Sequence, residues 1–174
     1  PSGTVNTNIH HGNTTIAMTK LDPRAITVAD LTADIRQAVT ASNVTLLMPD
    51  IEGKISLELI RYLSHDLGLT LSADIGKFYR VHQPDGTLTA RYPWPTQAEY
   101  LRSFTTVFLS VEDIAPALAS GETVLSVARE LADQGPAEVV ITRGSEGASI
   151  FQRETNELIE IPVFPQPHLV DPTG

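Results

Sequence analysis

Residues 106–142 read TVFLSVEDIAPALASGETVLSVARELADQGPAEVVIT, and this stretch decides the fold class. It opens on an apolar run at 106–109 (TVFL) and closes on another at 137–142 (AEVVIT), both short and rich in β-branched residues, as strands are. Between them the apolar residues fall at helical spacing in two segments, 111–119 and 122–134. Two strands joined by a helical connection of this length form the crossover unit of a parallel sheet.

The same alternation extends in both directions. Upstream, residues 44–48 (VTLLM) form a nearly continuous apolar run, the pattern of a strand covered on both faces. Leu57, Ile60, Leu63 and Leu67 place a helix over 56–67, stopped by Gly68, and 69–75 (LTLSADI) is the next strand. Asp85-Gly86 predicts a hairpin turn between VHQ and TLTARY, and 96–104 predicts a short helix. Val28, Leu31, Ile35 and Val39 predict a helix over 28–39, with Thr27 as its N-cap. Residues 14–20 (TTIAMTK) are strand-like, and the polar stretch before them has no helical period. Downstream, 147–152 pairs with 158–163 as antiparallel strands, and the proline-rich segment 162–172 is an extended connector. The expected fold class is α/β with a mostly parallel central sheet. Residues 1–25 form a loop or edge-strand region, and 26–174 form one domain.

Composition bounds the function. The 174 residues are 41% apolar and 6% aromatic, a globular balance. A formal net charge of −9 makes nucleic acid and anionic membrane poor partners, although backbone N–H groups can still bind phosphate locally. There is no cysteine, so disulfide and thiolate chemistry are absent, and no apolar run approaches the roughly 20 residues that span a bilayer. The expectation is a soluble, cytoplasmic protein.

In an open α/β sheet, ligands bind beyond the carboxyl ends of the strands. Three strand ends here carry suitable residues: Leu109 through Asp113, Thr142 through Gly147, and Val170 through Gly174. Gly144 and Gly147 allow positive φ and close backbone approach, which a nucleotide lying along the main chain needs; the plainer reading is a turn between two strands. Asp171-Pro172-Thr173-Gly174 alone reads as an ordinary turn, or as half of an anion hole at the start of a helix. The adjacent His10 and His11 would point to opposite faces of a strand and make a poor metal pair; the other histidines carry no pattern.

Four motifs, in order along residues 26–174, resemble the ribokinase/PfkB family of carbohydrate kinases. VDPTG at 170–174 is similar to the start of the signature D-T/P-T/V-G-A-G-D. VVITRGSEGASIF at 139–151 resembles V-V-T-x-G-x-x-G-A. FLSVEDI at 108–114 resembles the strand-end N-x-x-E motif, and ADIGKFYR at 73–80 the stretch D-x-Q-G-x-x-R. IPVFPQPHLVDPTG together with DGTLTARYPW looks most like the inositol-kinase-like branch.

The resemblance implies a three-layer ribokinase-like fold, incomplete in this chain, and an ATP-dependent phosphotransferase acting on a hydroxyl of a sugar or cyclic polyol. It implies that Thr142, Gly144 and Gly147 shape the nucleotide pocket. Ser110 and Asp113 take the N-x-x-E positions, which organise the Mg²⁺–phosphate assembly, largely through water. Both depart from the pattern: serine replaces asparagine, and aspartate is one methylene shorter than glutamate. Asp171 and Thr173 fall where the family binds an activating K⁺, and Gly174 begins the anion hole, with the catalytic aspartate expected just beyond it. Plainer roles stand beside these: Ser110 as an N-cap, Asp113 serving the dipole of the following helix, Asp171 as a cap, and Asp74 and Arg80 organising the sheet end.

On this reading the chain is a fragment, inactive alone, of a full-length enzyme expected as a homodimer, and the residues that would choose the substrate lie mainly outside it. The alternative is a PfkB-like protein that binds a ligand or partner without catalysis, motivated by the departures at Ser110 and Asp113. A nicotinamide-binding domain is disfavoured, because no G-x-G-x-x-G follows an early strand.

Overall fold

A six-stranded sheet in the order β1-β2-β5-β6-β7-β8 organises the computed structural model, which describes residues 24–49, 54–82 and 88–164. The strands are β1 (Thr45–Leu47), β2 (Leu71–Asp74), β5 (Thr106–Ser110), β6 (Glu138–Thr142), β7 (Ala148–Gln152) and β8 (Glu157–Ile161). The first four run parallel, and β7 and β8 turn back antiparallel. The expected α/β class with a mostly parallel sheet is what the chain forms. A separate antiparallel pair, β3 (Arg80–His82) and β4 (Leu88–Ala90), flanks the predicted hairpin turn, whose Asp85-Gly86 lies outside the described residues.

The helices are α1 (Ala33–Thr40), α2 (Leu57–Arg61, continued by a π-helical turn over Tyr62–Asp66), α3 (Gln97–Leu101), α4 (Ala115–Ala119) and α5 (Val124–Asp133). Because β1, β2, β5 and β6 are laid down side by side in sequence order, right-handed crossovers carry their helices to one and the same face. Burial agrees. Val107, Leu109, Val139, Ile141, Ser149 and Phe151 are buried on that face, where Val127, Ala128 and Leu131 of α5 pack over β6 and β7. Alternate residues such as Phe108, Val140 and Ile150 are only half-buried on the other face. Among the described residues no helix is long and apolar enough to cross a membrane.

Two sequence expectations need correction. The helix expected over 28–39 is broken. Asp30 accepts the Thr27 N–H at 2.9 Å and closes a 3-10 turn over Val28–Asp30. Thr32 then starts α1 afresh by accepting the Ile35 N–H at 3.3 Å. Two competing N-caps five residues apart cannot both sit at the head of one helix. Among the described residues, 44–48 form the outermost strand rather than one covered on both faces: Leu46 is 53% exposed and Met48 65%. An unbroken apolar run records what a strand can bury and does not record its neighbours.

The stretch expected as a helix over 56–67 is helical over 57–66. Ser56 caps α2 by accepting the Leu59 N–H at 3.1 Å, and Gly68 stops the helical stretch at φ 63°. Trp94, fully buried, stands within an aromatic group of Phe78, Tyr79 and Tyr100, with centroid separations of 4.9–6.2 Å. The polar edge of this group is satisfied: the Tyr79 hydroxyl donates to Gln97 Oε1 at 3.0 Å, and Gln97 Nε2 donates to Gln134 Oε1 at 3.1 Å. The turn over Gly76–Tyr79 that leads into β3 is thereby tied to α3 and to the residue that follows α5.

Candidate functional site

Parallel register brings three strand ends together. Asp74 ends β2 opposite Phe108, and Ser110 ends β5 opposite Thr142, the last residue of β6. At the end of β5 the chain turns sharply, with the Asp113 N–H donating to the Ser110 carbonyl at 3.0 Å. The Asp113 carboxylate folds back and accepts both the Ser110 N–H at 2.8 Å and the Ser110 hydroxyl at 2.7 Å through one oxygen, Oδ2. This closed serine–aspartate pair delays the helix expected over 111–119 until Ala115. Asp113 is only 3% exposed.

The end of β2 supplies the opposing wall. Gly76 N–H donates to Asp74 Oδ1 at 3.0 Å, which gives Asp74 the sheet-end role expected of it. A β-carbon placed on Gly76 would lie 2.4 Å from Asp113 Oδ2 and 3.3 Å from Asp74 Oδ1, so the two carboxylates face one point in space from neighbouring strands. The proximity of Gly76 to Asp113 was not foreseen from sequence; the signal available was the glycine directly after a strand-end aspartate.

The end of β6 is held differently. Val111 N–H donates to the Thr142 carbonyl at 3.0 Å, and the Thr142 hydroxyl points to the Leu109 carbonyl at 3.4 Å. Thr142 itself is exposed. Gly144 (φ 54°) opens a 3-10 turn with free space where a side chain would go. Gly147 (φ 94°) is crowded, because a β-carbon there would sit 2.0 Å from the Ile161 carbonyl oxygen. The close approach at Gly147 is thus to the chain's own β8, and only Gly144 has open space beside it. Arg143, between Thr142 and Gly144, turns toward β8 and pairs with Glu160, which also accepts the Ser149 hydroxyl at 3.0 Å. No sequence signal separates this pairing from an arginine free to meet a ligand.

Among the described residues no group of three or more histidine, aspartate or glutamate side chains is placed to hold a metal. Two carboxylates at adjacent strand ends suit Mg²⁺, which takes one or two carboxylates and completes its shell with phosphates and water. A cavity of about 390 Å³ lined by Thr105, Glu138, Gln152 and Glu154 lies at the opposite ends of the strands, away from this constellation. Asp171, Thr173 and Gly174 lie outside the described residues.

No protein-family model matches the chain, and no curated protein matches it by sequence. Solved structures do. A pyrophosphate-dependent kinase in the ribokinase family, in a sulfate complex, superposes with a TM-score of 0.62 at 22% identity, over 79% of this chain and 44% of that one. Ribokinase from Arabidopsis thaliana, complexed with ribose and ATP, matches at a TM-score of 0.59 and 19% identity, over 82% and 42%. Adenosine kinase from Anopheles gambiae matches at 0.58 and 14%, over 81% and 45%. This chain spans less than half the length of each of these proteins. Identities this low speak for the fold alone: the chain has the mostly parallel α/β architecture of the ribokinase-like fold.

Proposed function

We propose that this chain is the central and nucleotide-binding part of a ribokinase-type kinase, one that transfers the γ-phosphoryl group of ATP to a hydroxyl of a sugar or cyclic polyol. The observation that carries the reading is the constellation of Ser110, Asp113, Asp74 and Gly76 at the carboxyl ends of adjacent parallel strands, on a ribokinase-like fold.

Phosphoryl transfer asks the protein mainly for positioning and charge stabilisation. The acceptor oxygen bonds to the γ-phosphorus while the bond to the bridging oxygen breaks, and ADP leaves. The acceptor's proton passes to an aspartate in polypeptide following Gly174, where the resemblance puts the A-G-D of the signature. Backbone N–H groups beginning at Gly174 receive the negative charge that develops. Thr142 and Gly144 border the nucleotide, and Gly147 holds their loop against β8. Mg²⁺ would be held near Ser110, Asp113 and Asp74, where it would neutralise phosphate charge. K⁺ would be held by Asp171 and the Thr173 carbonyl.

The test is phosphoryl transfer by the intact protein across a panel of sugars, inositols and nucleosides. ATP and pyrophosphate are run as separate donors, because a fold neighbour is pyrophosphate-dependent. Transfer from ATP to a polyol or sugar is expected. Transfer from pyrophosphate alone would overturn the nucleotide assignment, and none from either donor would overturn the kinase reading in favour of a non-catalytic binding protein. On this reading residues 1–174 alone should show no transfer, because the resemblance puts the proton acceptor beyond Gly174.

A further inference from the structure

We propose that Gly76 is a positioning residue, holding the Asp113 carboxylate at the strand-end site by leaving the space that carboxylate occupies. This rests on the reading of that site as the phosphoryl-transfer site. Glycine is often retained for a positive φ, but Gly76 is not among the positive-φ glycines, so its backbone makes no such demand. The demand is for space. A β-carbon would lie 2.4 Å from Asp113 Oδ2 and 3.0 Å from its Cγ, closer than non-bonded atoms approach.

That oxygen is the one already engaged. Oδ2 accepts both the Ser110 N–H and the Ser110 hydroxyl. A methyl group at position 76 would therefore expel the carboxylate and break two hydrogen bonds together, one of them to the backbone at the last residue of β5. Asp74, whose Oδ1 would lie 3.3 Å from the same methyl, is tied to the Gly76 N–H and has little freedom to yield. A buried carboxylate that acts on a metal through ordered water depends on its position, because the water network is built around it. Gly76 sets that position from a neighbouring strand, 37 residues earlier in the chain.

The experiment compares Gly76→Ala, Asp113→Ala and the double variant with wild type in the intact protein. It reads melting temperature together with the Mg²⁺ concentration giving half-maximal phosphoryl transfer. Alanine at position 76 should lower Tm by several degrees when Asp113 is present and by less than about one degree once Asp113 is alanine. Both single variants should raise the half-saturating Mg²⁺ concentration about tenfold with the acceptor KM unchanged, and the double variant should be no worse than either. Equal Tm losses in the two backgrounds would overturn the contact. Coupled Tm losses with an unaltered Mg²⁺ response in Gly76→Ala would overturn the positioning role and leave Gly76 a packing residue. Should Gly76→Ala fail to fold, recovery of folding in the double variant supports the inference and failure there overturns it. Absence of transfer in the wild type refutes the site reading and the catalytic role with it, while the Tm comparison still decides the contact.

Discussion

An alanine at Gly147 puts a methyl carbon 2.0 Å from the Ile161 carbonyl oxygen and 3.0 Å from both the Pro162 carbonyl carbon and the Val163 nitrogen. All three are backbone atoms, so no side chain can swing aside. Relief requires the end of β8 to peel away from β7, opening the Ala148–Ile161 pair. The backbone angles at Gly147, φ 94° and ψ −136°, add strain for any residue with a β-carbon, on the order of 1–3 kcal/mol. With a ladder hydrogen bond of about 1 kcal/mol lost as well, the expected cost is about 2–4 kcal/mol. For a chain of this length that is a fall in Tm of about 4–16 °C. Gly144→Ala is the control, since φ is 54° and nothing lies within 4 Å of the added carbon. It should cost about 1–2 kcal/mol, and Gly144→Asn less, because asparagine tolerates the left-handed region. Urea unfolding of the three variants checks the ranking. A Gly147→Ala cost no greater than that of Gly144→Ala would refute the argument that β8 is what requires glycine there.

Gln97→Leu should lose about 1–3 kcal/mol by chemical denaturation, because the fully buried Tyr79 hydroxyl loses its acceptor; a change under about 0.5 kcal/mol would contradict this. The hydrogen bond from Arg24, with those from Thr27, lowers the Asp30 pKa from 3.8 to about 2. A depressed carboxylate pKa contributes stability that is present above pH 3.8 and lost as pH falls toward 2, so Asp30→Asn should flatten the acid limb of a Tm–pH profile in that window only. Burial holds the Tyr79 pKa well above 10.0, so the folded state keeps a proton that the unfolded state releases. Stability should therefore decline as pH rises past 10, and Tyr79→Phe should lessen that decline. If Asp171 binds a monovalent cation, Asp171→Asn should abolish the preference of the intact enzyme for K⁺ over Na⁺ with little change in Tm; a retained K⁺ response with a lowered Tm would make Asp171 a structural cap.

How much was legible beforehand follows from the range of each interaction. Residues 106–142 declared a strand, two helices and a strand, because apolar period and β-branched content act over a few residues, and all four elements are present at β5, α4, α5 and β6. Ser56 and Gly68 bounded their helix through bonds within one turn. The antiparallel pair β7–β8 was likewise visible, since its strands are separated by a short turn. Thr27 and Thr32 were harder, for each is a sound cap by itself and only their competition breaks the helix. What sequence could not supply was the identity of neighbours distant along the chain. VTLLM has the same composition at the centre of a sheet as at its rim, and strand order among the described residues is what puts Leu46 at the rim. Gly144 and Gly147 are equivalent in a motif, yet β8 crosses one and leaves the other open. Asp113 was expected from the resemblance of FLSVEDI to a strand-end motif, whereas its contact with Gly76 arises because parallel pairing of β2 with β5 brings together two loops that local propensity treats separately. Short-range forces write elements into the sequence; which atoms share a site is decided by register and packing, which exist only once the sheet has formed.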